Sequence, residues 1–180
     1  AQRYRHVQAA GSGFIISADG YVVTNNHVVS EGDKITVAMD NGDEHSAELI
    51  GTDPRTDLAL LKIDGASDLP FVTFADTEAR VGDWVVAVGN PYGLGGTVPA
   101  RIISARGRDI SASQTADLLQ IDAPIHRRNP AGPAFTLPRH VVGVTPAIFS
   151  PPAGTVASAL AIPSDIVQPT VHPPDSARRR

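Results

Sequence analysis

An all-β fold of two six-stranded antiparallel barrels, with a cleft between them, is what this sequence predicts. Three observations carry the prediction. Short apolar runs recur at close spacing along the 180 residues. The 16 Gly and 15 Pro suit many strands joined by turns better than long helices. Sustained helical periodicity is absent. Closed barrels are preferred over an open sheet because closure removes exposed edges.

Taken in order, Phe14-Ile15-Ile16 and Tyr21-Val22-Val23 flank Ala18-Asp19-Gly20, a hairpin signal. Lys34 to Met39 alternates Ile35, Val37 and Met39 with polar residues, and Asp40-Asn41-Gly42-Asp43 turns the chain into a strand over Glu44 to Ile50. Leu58 to Ile63 is an apolar run of buried-strand type. Trp84 to Val88, Arg101 to Ala105, Leu118 to Ile121, Val141 to Val144 and Val156 to Ile162 complete the set. Asn90-Pro91-Tyr92-Gly93-Leu94-Gly95-Gly96 marks the expected lobe boundary, giving one lobe over about 11–90 and a second over about 97–168. It lacks the strand-loop-helix setting of a phosphate loop and reads as structural. Ser164 is expected to cap a short helix that Pro169, Pro173 and Pro174 stop early. Residues 1–10 read as an N-terminal segment and 169–180 as a Pro/Arg-rich tail, with Arg178-Arg179-Arg180 solvated.

The apolar share of 42% is enough for a sizeable core, and the formal charge of −4 argues against nucleic acid as a partner. With no cysteine, disulfides and thiolate metal sites are excluded. No apolar run reaches the length of a membrane-spanning helix, so no membrane insertion is expected. No signal peptide is visible, and Ala1 reads as the start of a mature or trimmed chain. No metal or cofactor is called for, since no closely spaced ligand set accompanies His126, and His6, His45, His140 and His172 read as surface histidines.

The chemistry lies in Thr24-Asn25-Asn26-His27-Val28-Val29, which follows a strand, and Thr56-Asp57-Leu58-Ala59-Leu60-Leu61, which enters another. An imidazole that moves a proton and a buried carboxylate that fixes its tautomer are two parts of a serine-hydrolase triad. The order, His then Asp with the nucleophile last, is that of chymotrypsin.

The surrounding motifs resemble the HtrA (Do-like) family of trypsin-like serine proteases. They are Gly11-Ser12-Gly13-Phe14-Ile15-Ile16, Tyr21 to Val29, Asp53 to Ala59, Val88 to Leu94, Ile121-Asp122-Ala123-Pro124-Ile125 and Ala161-Ile162-Pro163-Ser164. The resemblance covers roughly residues 11–168 and implies a trypsin-like domain with His27 as general base and Asp57 as its orienting carboxylate. Where the family carries Gly-Asn-Ser-Gly-Gly-Pro, this chain has Arg128-Asn129-Pro130-Ala131-Gly132-Pro133, with Ile125 and Phe135 setting the register. Pro130 therefore falls on the nucleophile position.

Proline has no hydroxyl for His27 to deprotonate. It also lacks the N–H that the nucleophile contributes to the oxyanion hole, and losing one such donor costs about 10²–10³ in turnover. It pushes Asn129 toward extended geometry. Arg128 stands at the second oxyanion donor in place of glycine, with less φ freedom, and Ala131 replaces a further glycine. Arg101 stands where the family has glycine. Thr145-Pro146 replaces Asn-Thr on the strand expected to pair with a peptide at Pro146, Ala147 and Ile148, and Pro146 cannot donate there. Ser104, Ser111, Ser113, Ser150 and Ser158 lack a nucleophile-turn context and are not expected to substitute.

The resulting expectation is an HtrA-like domain that is catalytically inactive as given. It would act by binding unfolded polypeptide or peptide, by chaperone-like holding, or by assembly. The alternatives are an active serine endopeptidase of protein quality control in which residues 128–131 are altered or misread, and a structural scaffold. The resemblance further implies a periplasmic or otherwise extracytoplasmic location and a homotrimer. No PDZ domain is expected in this chain.

Overall fold

The structure, a computed structural model, describes residues 11–30, 32, 34–88, 98–108, 117–122, 132–137, 140–145 and 159–171. The first lobe holds β1 (Gly13–Ile15), β2 (Tyr21–Asn25), the one-turn helix α1 (Asn26–Val29), β3 (Ile35–Ala38), β4 (Glu44–Asp53) and β5 (Leu58–Ile63). The second holds β6 (Trp84–Ala87), β7 (Ala100–Arg108), β8 (Leu118–Ile121), β9 (Pro133–Thr136), β10 (Val141–Val144), β11 (Ala159–Pro163) and the helix α2 (Ser164–Thr170). Every pairing between these strands is antiparallel. The first lobe is a curled sheet in the order β1-β2-β5-β4-β3, and the second is a closed six-stranded barrel, β10-β11-β8-β7-β6-β9.

Local chemistry explains the elements. Gly20 takes a φ of 93° and donates its N–H to the Ser17 carbonyl, closing the β1–β2 turn. β2 lies between β1 and β5 and is buried throughout, so its sequence runs apolar instead of alternating. β3 pairs only with β4 and does alternate, with Ile35 and Val37 turned inward. At the far end of the β3–β4 hairpin, Gly42 at φ 88° and the Met39–Asp43 hydrogen bond make the expected turn.

Three apolar clusters hold the lobes. Val22, Val29, Ala59, Leu61 and Ile63 fill the first, and Val85, Ile103, Leu119, Ile121, Ala134, Val142 and Ala161 fill the barrel. The third cluster joins Phe14, Tyr21, Val23, Leu58 and Leu60 of the first lobe to Leu118, Val141, Val144, Ile162, Val167 and Val171 of the second. The connector between β5 and β6 also ties the lobes. Leu69 and Val72 donate backbone N–H groups to Ala18 and Ile15, Ala75 donates to Val141, and Val141 donates back to Thr73.

Several expectations need correction. β6 belongs to the barrel, so the change of lobe falls between Ile63 and Trp84, ahead of the Asn90–Gly96 segment, which lies outside the described residues. The first lobe shows five strands among the described residues, and the connector reaches β1 through the Val72–Ile15 bond and the β1–β2 turn through the Leu69–Ala18 bond. β4 runs on past Ile50 to Asp53 through a bulge between Leu49 and Gly51. β9 was hidden by its leading proline, which is tolerated as the first residue of a strand. Ser164 is the first helical residue, not the cap; the cap position is Pro163, with no side-chain hydrogen bond. Pro169 lies inside α2 and does not end it. It forfeits one backbone bond near the C-terminus, while Val167 and Val171 anchor that end in the shared cluster.

Candidate active site

β2 passes directly into α1, and β5 begins one residue after Asp57. The pairing of Asn25 with Leu58 places the two junctions side by side. Asp53 prepares the approach: its carboxylate accepts the Arg55 N–H at 3.0 Å, and its carbonyl accepts the Thr56 hydroxyl at 3.4 Å, tightening the turn ahead of Asp57.

There the two predicted residues meet. His27 Nδ1 lies 2.7 Å from Asp57 Oδ2, and the His27 main-chain N–H donates to Asp57 Oδ1 at 2.9 Å. Both carboxylate oxygens thus serve one histidine. With Nδ1 carrying the proton, Nε2 is left as a proton acceptor. The hydrogen bond that His27 donates to Asp57 raises the His27 pKa above its ordinary value; partial burial opposes the rise and the Asp57 charge adds to it. The carboxylate is not the buried group expected, since the Asp57 side chain is 25% exposed and that of His27 40%.

Sequence reasoning missed what holds Asp57. Its φ of 55° is in the left-handed region, unusual for a residue with a Cβ. Its carbonyl accepts the Asn26 N–H at 3.0 Å and the Asn25 side-chain Nδ2 at 2.9 Å. The trace of it in the sequence is Asn25, a polar residue at the end of a run opened by Tyr21-Val22-Val23, with no evident partner nearby.

Arg128, Asn129, Pro130 and Ala131 lie outside the described residues, as do His126, Pro146, Ala147, Ile148, Ser111, Ser113, Ser150 and Ser158. Their immediate neighbours are described. The Gly132 N–H donates to Thr145 Oγ1 at 2.9 Å, while the Thr145 hydroxyl and N–H both donate to the Gly132 carbonyl. Residue 132 is thereby fixed to the end of β10. The Val88 N–H, next after β6, donates to the Pro133 carbonyl. Arg101 sits opposite Val85, a fully buried residue of the barrel interior, and so enters from the inner face; its Nε has no partner among the described residues. Ser104 donates to the Gln120 carbonyl, and His140 Nδ1 lies 2.9 Å from the Thr73 hydroxyl, each in a structural contact. No three His, Asp or Glu side chains gather to hold a metal among the described residues. No helix among them is long and apolar enough to cross a membrane.

The family described as Trypsin-like peptidase domain matches residues 11–144. The "Probable periplasmic serine endoprotease DegP-like" of Brucella suis biovar 1 (strain 1330) is 58% identical over 165 residues, covering 91% of this chain and 32% of the relative. That of Rhizobium meliloti (strain 1021) is 57% identical, covering 91% of this chain and 33% of the relative. The chain belongs to the trypsin-like peptidases, in their HtrA (DegP-like) branch.

Solved HtrA structures agree. The HtrA-type protease AlgW with a decapeptide superposes with a TM-score of 0.77 at 43% identity, covering 87% of this chain and 48% of that one. The serine endoprotease from Yersinia pestis gives 0.79 at 38% identity, covering 92% and 57%. This HtrA chain therefore spans about a third of the length of the curated relatives it matches.

Proposed function

We propose that this domain is an HtrA-type pseudoprotease: a peptide-binding protease domain that keeps the base and its carboxylate but has lost the nucleophile. The observation that carries the reading is proline at 130, the nucleophile position of the family motif, in a chain whose His27–Asp57 pair is assembled. In an active relative, Nε2 of His27 would take the proton of the attacking hydroxyl, Asp57 would steady the imidazolium, and main-chain N–H groups would receive the oxyanion. Here no hydroxyl stands at 130, and proline withdraws one of those donors. The domain is taken as residues 11–168.

Polypeptide is the proposed partner. An extended segment would lie along Pro146, Ala147 and Ile148, where the missing Pro146 N–H weakens but does not abolish strand pairing. The solved relative AlgW holds a decapeptide, which supports this class of ligand. Relatives 57% and 58% identical carry the word periplasmic in their names, which supports a periplasmic location. Assembly as a homotrimer and chaperone-like holding of unfolded chains belong to the same proposal.

The deciding experiment exposes the protein to a fluorophosphonate probe and to unfolded casein, and measures binding of a fluorescent extended peptide. Peptide binding with no label and no cleavage is the expected result; stoichiometric labelling of any serine overturns the reading. The second reading, an active endopeptidase with residues 128–131 altered or misread, is favoured by the intact His27–Asp57 geometry and the endoprotease names of the relatives. The mass of the peptide from Ile121 to Arg139 separates the two.

A further inference from the structure

Asn25 is a polar residue with no exposed surface at the end of the mostly apolar β2. Its Nδ2 donates to the Asp57 carbonyl at 2.9 Å, while its Oδ1 has no partner among the described residues. The acceptor fixes the orientation of the amide, because reversing it would set Oδ1 against the Asp57 carbonyl oxygen. An apolar side chain of similar size would avoid burying an unmet acceptor. The unmet acceptor gives no reason for asparagine here, whereas the one bond its side chain makes among the described residues does.

That bond reaches a strained residue. At φ 55° Asp57 occupies a region that residues with a Cβ seldom adopt, and such backbones persist only where their surroundings over-determine them. The strain aims the residue: it sends the carbonyl toward β2 and the carboxylate toward His27. Four donors from residues 25–27 then close on Asp57, two on the carbonyl and two on the carboxylate. Three of them come from Asn26 and His27, in main-chain N–H groups and the ring itself. The fourth is the only one supplied by a side chain outside the His27–Asp57 pair.

We infer that Asn25 is a positioning residue: its side-chain amide grips the Asp57 carbonyl and keeps the Asp57 carboxylate aimed at the His27 ring. It does not touch the reacting atoms and acts through Asp57. The inference concerns the pair alone and stands whether or not the domain cleaves peptides.

The test titrates His27 by NMR of its ring nitrogens in the wild type, in Asp57→Asn and in Asn25→Leu, with urea unfolding of each. Leucine keeps the branched four-atom outline of the asparagine side chain, although its methyls are bulkier, and removes both the donor and the unmet acceptor. The expected result is a His27 pKa in Asn25→Leu that falls at least about half of the way from wild type to Asp57→Asn, in a protein that remains folded. A purely structural role would instead change the urea midpoint and leave the His27 titration alone, and a folded Asn25→Leu with the wild-type titration overturns the inference. Asn25→Ser, whose hydroxyl is too short to reach the carbonyl, is the milder second variant and is expected to shift the titration in the same direction. Failure of both variants to fold makes Asn25 a structural residue and overturns the inference equally.

Discussion

Asp57 holds His27 twice, through the main-chain N–H at 2.9 Å and through ring Nδ1 at 2.7 Å. The first contact fixes where α1 begins relative to β5, and the second fixes the rotation and tautomer of the ring. The ring contact alone depends on protonation, so the pair has a pH signature separate from its role in the fold.

That signature gives the first prediction. The His27 pKa is raised, chiefly by its bond to Asp57. A group whose folded pKa is raised contributes stability in full below its unfolded value, about 6.5 for histidine, and loses it as pH rises through the folded value. In Asp57→Asn the His27 titration should fall toward about 6.5. The stability gap between wild type and Asp57→Asn should be wider near about pH 6 than near about pH 9. NMR titration and urea melts at the two pH values check both halves.

A second prediction concerns rescue of the nucleophile position. Pro130→Ser alone should restore little or no turnover of a flexible peptide. Pro130→Ser with Arg128→Gly and Ala131→Gly should restore measurably more, because hydroxyl, turn geometry and oxyanion donors act as a unit. A His27→Ala version of each variant sets the background. Equal activity of the single and triple variants would make Pro130 the only defect.

Two turn glycines separate strain from collision. Gly20 and Gly42 have nearly the same φ, 93° and 88°. A Cβ on Gly42 meets nothing within 4 Å, whereas one on Gly20 would lie 2.5 Å from the Ala66 Cβ. Gly42→Ala should cost about 1–2 kcal/mol from backbone strain alone, and Gly20→Ala about 1–3 kcal/mol more from overpacking. Urea unfolding of the two variants side by side reads the difference.

The shared cluster predicts that the lobes unfold together. Leu58 is 1% exposed and packs among residues of both lobes. Leu58→Ala should cost about 2–5 kcal/mol and shift a single transition, with the Trp84 fluorescence of the second lobe following the same curve as the backbone signal. A Trp84 transition unmoved by the substitution would show that the lobes are independent.

The parts of the fold legible in the sequence were those set by local chemistry. The strands Leu58–Ile63, Leu118–Ile121 and Val141–Val144 have the expected bounds, because apolar runs between turn residues leave little choice. The lobe boundary is not legible along the chain, because the crossing uses the unremarkable residues between Ile63 and Trp84 and not the glycine-rich segment beyond them. His27 and Asp57 could be paired from motif order, yet the grip of Asn25 on a left-handed Asp57 is a tertiary contact between residues 32 positions apart. The sequence marks Asn25 as a polar residue ending a mostly apolar run, but no pattern along the chain names its partner.

The cluster between the lobes also bears on the order in which the chain is made. Phe14, Tyr21, Val23, Leu58 and Leu60 are synthesised first, joined by Val72 and Phe74 of the connector, and the second-lobe residues that cover them come later, from Leu118 to Val171. A ribosome adds about 5–20 residues per second, so the apolar flank of the first lobe stays wet for several seconds before its other half exists. Until then that flank is exposed apolar surface, the kind to which a holding factor or a second nascent chain adheres.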